Sequence, residues 1–220
     1  MEPIKMSAFR WVPPFAQGLV RDLRVRWACE EVGVRYEAQL LSREDQSSDA
    51  YRKQQPFGQV PAIEADGISM FESGACVLHI AEQHEALMPK DAQQRAHVKT
   101  WMFAALNTIE TPIMMLIVID FQPEEVRAGS AKLRTAVMER VGSRLDSLVT
   151  FLGGSDYLVG NRFSAADLLM VSVLRALRTT DLVAKRPTLE AYRVRCEARP
   201  AFQRALSAQM ETFGANAPRG

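Results

Sequence analysis

Two short segments of this chain carry residue types that can do chemistry together. The first is Gln55-Pro56-Phe57-Gly58-Gln59-Val60-Pro61-Ala62-Ile63, and the second, past an Asp66-Gly67 turn, is Phe71-Glu72-Ser73-Gly74-Ala75. A proline at the head of a strand cannot donate to a ladder, so it belongs at an edge. With a cis Val60–Pro61 bond, the Val60 backbone points outward and can pair with an extended peptide, which is strand addition in miniature. Ser73 ends a strand and opens a helix, so its hydroxyl and the free N–H groups of that turn make a place for a carboxylate. Glu72 beside it can receive an ammonium. A backbone strand, an anion pocket and a carboxylate are what a small zwitterionic peptide needs. Singly, each feature is also what an ordinary turn proline or helix cap looks like; their order and spacing point to a ligand.

These segments need elements to hold them. Residues 4–11 read as a strand, and Val12-Pro13-Pro14-Phe15 as a loop, since two prolines cannot continue a ladder. Leu19, Leu23 and Trp27, with Val25, Cys29 and Val32, recur at helical spacing from about Gly18 or Leu19, and Gly33 suits the helix end. A second strand follows over 34–41. Residues 42–58 are polar, with one weak helical turn around 49–53. A strand over 60–64, the Asp66-Gly67 hairpin turn and a strand over 68–71 come next. Ser73 is placed to cap a helix reaching about Glu85, and Met88-Pro89-Lys90 reads as a linker. Beyond it only helices are expected, over 93–121 with a kink or step at Pro112, 133–152, 164–177, 189–198 and 200–213. The order βαβ then ββα is a four-stranded mixed sheet of thioredoxin-like type, an α/β domain over residues 1–88. An all-α helical bundle domain occupies 89–220 and ends in a loose tail, 215–220.

Composition narrows the function classes. Of 220 residues 47% are hydrophobic and 24% charged, and the formal net charge of +1 gives no nucleic-acid or membrane-surface footprint. The three cysteines, Cys29, Cys76 and Cys196, are odd in number and far apart, and His79, His84 and His97 show no ligand spacing with them. Neither a disulfide framework nor a metal site is expected; the cysteines read as small buried apolar side chains. The first residues lack an apolar signal region, and the longest apolar run, Ile113 to Ile119, is too short to span a bilayer. A soluble, cytoplasmic protein is the expectation.

The Val60-Pro61 and Glu72-Ser73 pairs, with a hairpin between them, resemble the glutathione site of the cytosolic glutathione S-transferases, of bacterial type. The resemblance implies that the residue before the proline pairs with the cysteinyl backbone of glutathione. It also implies that Glu72 and Ser73 hold the γ-glutamyl end and that Gln59 lies near the glycyl end. Asn161-Arg162-Phe163-Ser164-Ala165-Ala166-Asp167 is a capping box opening an apolar helix. It is similar to the start of the core helix in the family's C-terminal domain, as Tyr192, Cys196, Glu197, Arg199 and Pro200 are to a later family pattern. The likeness covers nearly the whole chain. It implies glutathione as cosubstrate, no metal, a homodimer, and attack of the glutathione thiolate on a small apolar electrophile held between the domains. The same bound thiolate would serve a glutathione-dependent peroxidase, reductase or isomerase, and a non-catalytic glutathione- or ligand-binding protein is the rival of another class.

One part of the family pattern is missing. The family activates the thiol with a Tyr, Ser or Cys near the end of the first strand or the start of the first helix. A thiol pKa of about 8.5 must fall for thiolate to predominate at neutral pH. Here the stretch Arg10 to Asp22, RWVPPFAQGLVRD, holds none of the three, and the family positions fall on about Gly18 to Arg21. The catalytic group is therefore unknown. Three readings stay open: backbone N–H groups around Leu19 and Val20 with the helix dipole, positive charge from Arg21 or Arg10, or binding without strong activation. Trp11 and Phe15 beside this loop, and Trp101 and Asn107 on the long helix, are candidates for an acceptor pocket. Trp11 and Phe15 are also candidates for core packing, and Trp101, with Phe103, reads as core before it reads as ligand wall.

Overall fold

The computed structural model describes residues 2–218. Arg219 and Gly220 of the expected tail lie outside the described residues. The chain divides into two compact units: residues up to Lys90 together with the segment from Glu197 onward, and Asp91–Cys196.

The first unit is built on β1 (Ile4–Phe9), α1 (Asp22–Val32), β2 (Tyr36–Leu41), α2 (Arg43–Ser47), α3 (Asp49–Arg52), β3 (Ala62–Ala65), β4 (Ile68–Phe71) and α4 (Ser73–Glu82). The sheet order is β2-β1-β3-β4. β1 runs parallel to β2, with Ile4 opposite Tyr36 and Phe9 opposite Leu41; it is antiparallel to β3, and β3 is antiparallel to β4. This is the expected mixed sheet.

The ends of the elements differ from the sequence reading for local reasons. Helix α1 starts at Asp22 and not near Gly18, because residues 13–19 fold as successive turns. Ala16 N–H donates to Pro13 C=O and Leu19 N–H to Ala16 C=O, while Gly18 sits at φ 75°. Strand β2 begins at Tyr36 and not Val34, since Gly33 in the left-handed region lets Val34 N–H close α1 onto Cys29 C=O. The polar stretch after β2 hides a short helix, α2, held by a reciprocal cap between Ser42 and Asp45.

Helix α1 is buried along its first eight residues, Asp22 to Cys29. One more helix accounts for this: α11 (Pro200–Ala215), which packs on α1 together with α4. Trp27 and Phe202, both fully buried, meet edge to face at 4.7 Å. Arg199 forks onto the Glu31 carboxylate with two bonds of 2.7 Å.

The second unit contains α5 (Ala92–Phe103), a π-helical segment (Ala104–Glu110), α6 (Thr111–Asp120), α7 (Glu124–Gly129), α8 (Ala131–Leu152), α9 (Ala165–Leu174) with a closing 3₁₀ turn (Arg175–Leu177), and α10 (Pro187–Glu197). The step expected at Pro112 is spread over the π segment just before it. A wider turn there lets the chain pass a residue without an N–H, and Pro112 then lies in the first turn of α6. The run Ala92–Asp120 is long and apolar enough by composition to cross a bilayer. Its stripe of Val98, Met102, Ala105, Ile109, Ile113 and Leu116 is buried within this unit.

Helix α9 is buried along nearly its whole length and opens on Asp167, which has no exposed surface. Its carboxylate accepts from Ser164 N–H at 2.9 Å and Ser164 Oγ at 2.8 Å, and from Leu158 N–H and the Tyr192 hydroxyl, each at 2.9 Å. The expected capping box is thus also a hub joining the 158 loop, α9 and α10.

Candidate functional site

The site grows from an arch, residues 55–62, between α3 and β3. Gln55 is buried, and its side-chain oxygen accepts from Phe57 N–H at 2.7 Å while its carbonyl accepts from Gly58 N–H at 3.0 Å. Gly58 holds φ 63°, which favours glycine, and Gln46 donates to its carbonyl. The Val60–Pro61 bond is cis. The Gln59 side chain is exposed, while Val60 and Pro61 are buried. Among the described residues neither the N–H nor the C=O of Val60 carries a hydrogen bond.

One hairpin later, β4 ends at Phe71 and the exposed Glu72 takes φ 70°, ψ 114° before α4 begins. A non-glycine residue there is strained, and such strain gathers at functional positions. The expectation that Ser73 caps α4 is corrected: Glu72 holds the cap position, no side chain caps it, and Ser73 is the first helical residue. The Ser73 hydroxyl is buried and accepts from the guanidinium of Arg24, on α1, at 3.2 Å. A guanidinium only donates, so Ser73 Oγ must accept there, and its own hydrogen is left to donate elsewhere. A hydroxyl donor, a helix N-terminus and a buried guanidinium together suit a carboxylate.

The start of α1 forms the third part. Leu19 N–H is already bonded to Ala16 C=O, which removes it from the backbone donors considered for a thiolate; Val20 N–H has no acceptor among the described residues. Val20 C=O accepts from Gln209 of α11 at 3.2 Å. Arg21 is half-buried. Asp22 is buried and binds Arg26 at 2.8 Å and Gln209 at 2.6 Å. Burial pushes its carboxyl above the ordinary value, against the pull of Arg26. Of the pocket candidates, Trp11 is half-buried and Phe15 is exposed on this loop. Trp101 and Asn107 belong to the second unit: the Trp101 ring lies 4.3 Å from that of Phe151 on α8, and Asn107 is exposed on the π segment.

Comparison with known proteins gives this geometry a family. The model "Glutathione S-transferase, N-terminal domain" matches residues 17–82, and "Glutathione S-transferase, C-terminal domain" matches residues 105–200. Glutathione S-transferase A3 of Mus musculus is 30% identical over 185 residues, covering 83% of this chain and 81% of its own. The chain belongs to the glutathione S-transferase family. Glutathione S-transferase 4 of Zea mays is 29% identical over 204 residues, covering 89% of this chain and 91% of its own. Among solved structures, poplar glutathione transferase F1 superposes with a TM-score of 0.82 at 22% identity, covering 96% of this chain and 100% of that one. A glutathione transferase from Burkholderia graminis, solved with two glutathione molecules bound per subunit, reaches 0.81 at 24% identity, covering 94% and 88%.

As a glutathione transferase, the protein uses glutathione as cosubstrate. Among the described residues no group of three or more His, Cys, Asp or Glu side chains could hold a metal ion. The three cysteines are buried, as expected, and burial pushes the Cys29 and Cys76 thiols up to about 12. Sequence reasoning missed Arg24, Tyr51, Ser7 and Gln209. Arg24 alternates with apolar residues on a helix, which reads as a solvated charge until α4 and α11 are known to cover it. Tyr51 and Ser7 stand 44 residues apart, and nothing local pairs them.

Proposed function

We propose that this glutathione transferase binds glutathione along the Gln59–Pro61 arch and at Glu72–Ser73, and conjugates it to a small apolar electrophile. The cysteinyl backbone pairs with Val60, the γ-glutamyl carboxylate takes the Ser73 hydrogen, the γ-glutamyl ammonium meets Glu72, and Gln59 serves the glycyl end. The Ser73–Arg24 bond carries this reading, because it turns the Ser73 hydroxyl into a donor at a helix N-terminus. The thiolate lies against Val20 N–H and the start of α1, where the helix dipole favours negative charge. Its sulfur attacks the electrophilic carbon, and the leaving group departs with the bonding pair. Trp11 and Phe15, on the loop before α1, are the side chains proposed to meet the acceptor. A homodimer and a cytoplasmic setting complete the proposal, on the family resemblance.

Ultraviolet difference titration of bound glutathione tests it. A thiolate band that persists well below the free-thiol pKa supports transfer; glutathione bound as the plain thiol replaces it with a binding protein. Glu72→Ala and Ser73→Ala should each weaken retention on immobilised glutathione, and if neither does, the site assignment fails.

A second reading rests on the Burkholderia graminis structure with its two glutathiones per subunit. A site that takes two could reduce a hydroperoxide to an alcohol and water while both thiols join as the disulfide. Incubation with glutathione and cumene hydroperoxide separates the two readings by product, oxidised glutathione against a thioether.

A further inference from the structure

Between β1, α3 and the arch runs a short chain of buried hydroxyls. Ala62 N–H donates to Ser7 Oγ at 2.7 Å, Ser7 Oγ lies 2.8 Å from the Tyr51 hydroxyl, and that hydroxyl donates to Gln59 C=O at 2.6 Å. Ser7 is 4% exposed and Tyr51 6%. The proton count fixes the direction. A carbonyl can only accept, so the single Tyr51 hydrogen goes to Gln59. The hydrogen between the two hydroxyls is then Ser7's, given over 2.8 Å to Tyr51 in preference to the Ala62 C=O at 3.3 Å, and Ser7 in turn accepts from Ala62 N–H. The chain reads Ala62 N–H to Ser7 to Tyr51 to Gln59 C=O, in one direction, and each bond polarises the next. Burial pushes the Tyr51 phenol above its ordinary value, which keeps it a donor.

The two ends of this chain grip the two flanks of the Val60–Pro61 step. On one side it occupies the Gln59 carbonyl and on the other the Ala62 amide. Pro61 has no N–H to offer. Among the described residues the Val60 N–H and C=O stay open, both donor and acceptor. A loop held on both flanks of this step, with the Val60 donor and acceptor unbonded between them, is arranged for an incoming strand.

We propose that Ser7 and Tyr51 are positioning residues for glutathione, holding the arch so that Val60 meets the cysteinyl amide of the ligand. This rests on the reading of Val60 as the backbone partner. The test is a cycle of four affinities measured by calorimetry: wild type and Tyr51→Phe, each with glutathione and with the analogue whose cysteinyl nitrogen is methylated. In the wild type, methylation removes the donor aimed at Val60 C=O and should weaken binding about tenfold. Tyr51→Phe should weaken glutathione itself about three- to tenfold and shrink the methylation penalty to roughly twofold or less, the mark of two changes acting on one contact.

Other results overturn the proposal at different points. A Tyr51→Phe protein that binds glutathione as well as the wild type, with the penalty intact, leaves the Val60 reading standing and removes Tyr51 from it. Weaker binding with an unchanged penalty makes Tyr51 a general support of the fold. No penalty in the wild type means that Val60 does not pair with the ligand, and the proposal falls with that reading. If Tyr51→Phe does not fold, Ser7→Ala breaks the same chain at its other link and the same four affinities decide.

Discussion

The Gln209 side chain donates to Asp22 Oδ1 at 2.6 Å, joining residues 187 apart in the chain. It brings the last helix, α11, onto the first turn of α1, where the same amide also holds Val20 C=O. Phe202, one turn into α11, packs its ring on Trp27. The first unit is therefore closed by α11. Phe202→Ala should cost about 3–5 kcal/mol, and Gln209→Leu, which strips a partner from buried Asp22, about 1–3 kcal/mol. Urea denaturation checks both. By the same logic a fragment ending at Lys90 should remain unfolded by circular dichroism, since Trp27 and Asp22 would lose their cover.

Arg24 makes the second prediction. It is buried with its guanidinium on Ser73 Oγ at 3.2 Å. Arg24→Met keeps much of the side-chain volume and removes the donor, so the Ser73 hydrogen is no longer forced toward a ligand. Glutathione affinity should fall about tenfold, the scale of a hydrogen bond to a charged group. Ser73→Ala added to Arg24→Met should lower it little further, because both changes break one arrangement. Additive losses in calorimetry would show that the two residues act apart.

The element order of the first unit and its mixed sheet were legible because they rest on local signals, and the two segments proposed as the site rest on signals of the same kind. The Asp66-Gly67 turn fixes β3 and β4, alternation marks β1, and proline before a strand marks the arch. What stayed hidden depends on partners distant in sequence. Asp22, Arg24 and Arg26 look like solvated charges on α1, and only cover from α4 and α11 makes them buried. The hydroxyl chain from Ser7 to Tyr51 needs β1 beside α3, which no spacing announces. Ser73 was assigned as a cap from its residue type; the strained Glu72 takes that place, and φ is not written in the sequence.

Thiol chemistry should belong to glutathione and not to the protein. Cys29, Cys76 and Cys196 are buried, and the first two thiols are pushed up to about 12 by burial. Since the thiolate is the reactive form, the native protein should give almost no reaction with Ellman's reagent at pH 8. All three cysteines should react once it is unfolded in guanidinium. A fast-reacting thiol in the native state would instead argue for a mechanism based on protein cysteine.

Asp167 gives a prediction with a definite sign. Burial holds its carboxyl above the ordinary value of 3.8, while the donors Leu158 N–H, Ser164 and Tyr192 OH pull the other way. Because the folded value is the higher one, this group's contribution to stability is complete below pH about 4 and is lost as pH rises through the raised value. Asp167→Asn titrates nothing there. Its amide nitrogen would also face N–H and O–H donors, so the variant should be less stable by about 2–4 kcal/mol. The gap between wild type and variant should be widest near pH 4 and narrow toward pH 7, by about 1.4 kcal/mol for each unit of upward displacement. Urea midpoints at three or four pH values measure it. A gap that widens toward neutrality would mean that the hydrogen bonds to the ionised carboxylate outweigh its burial.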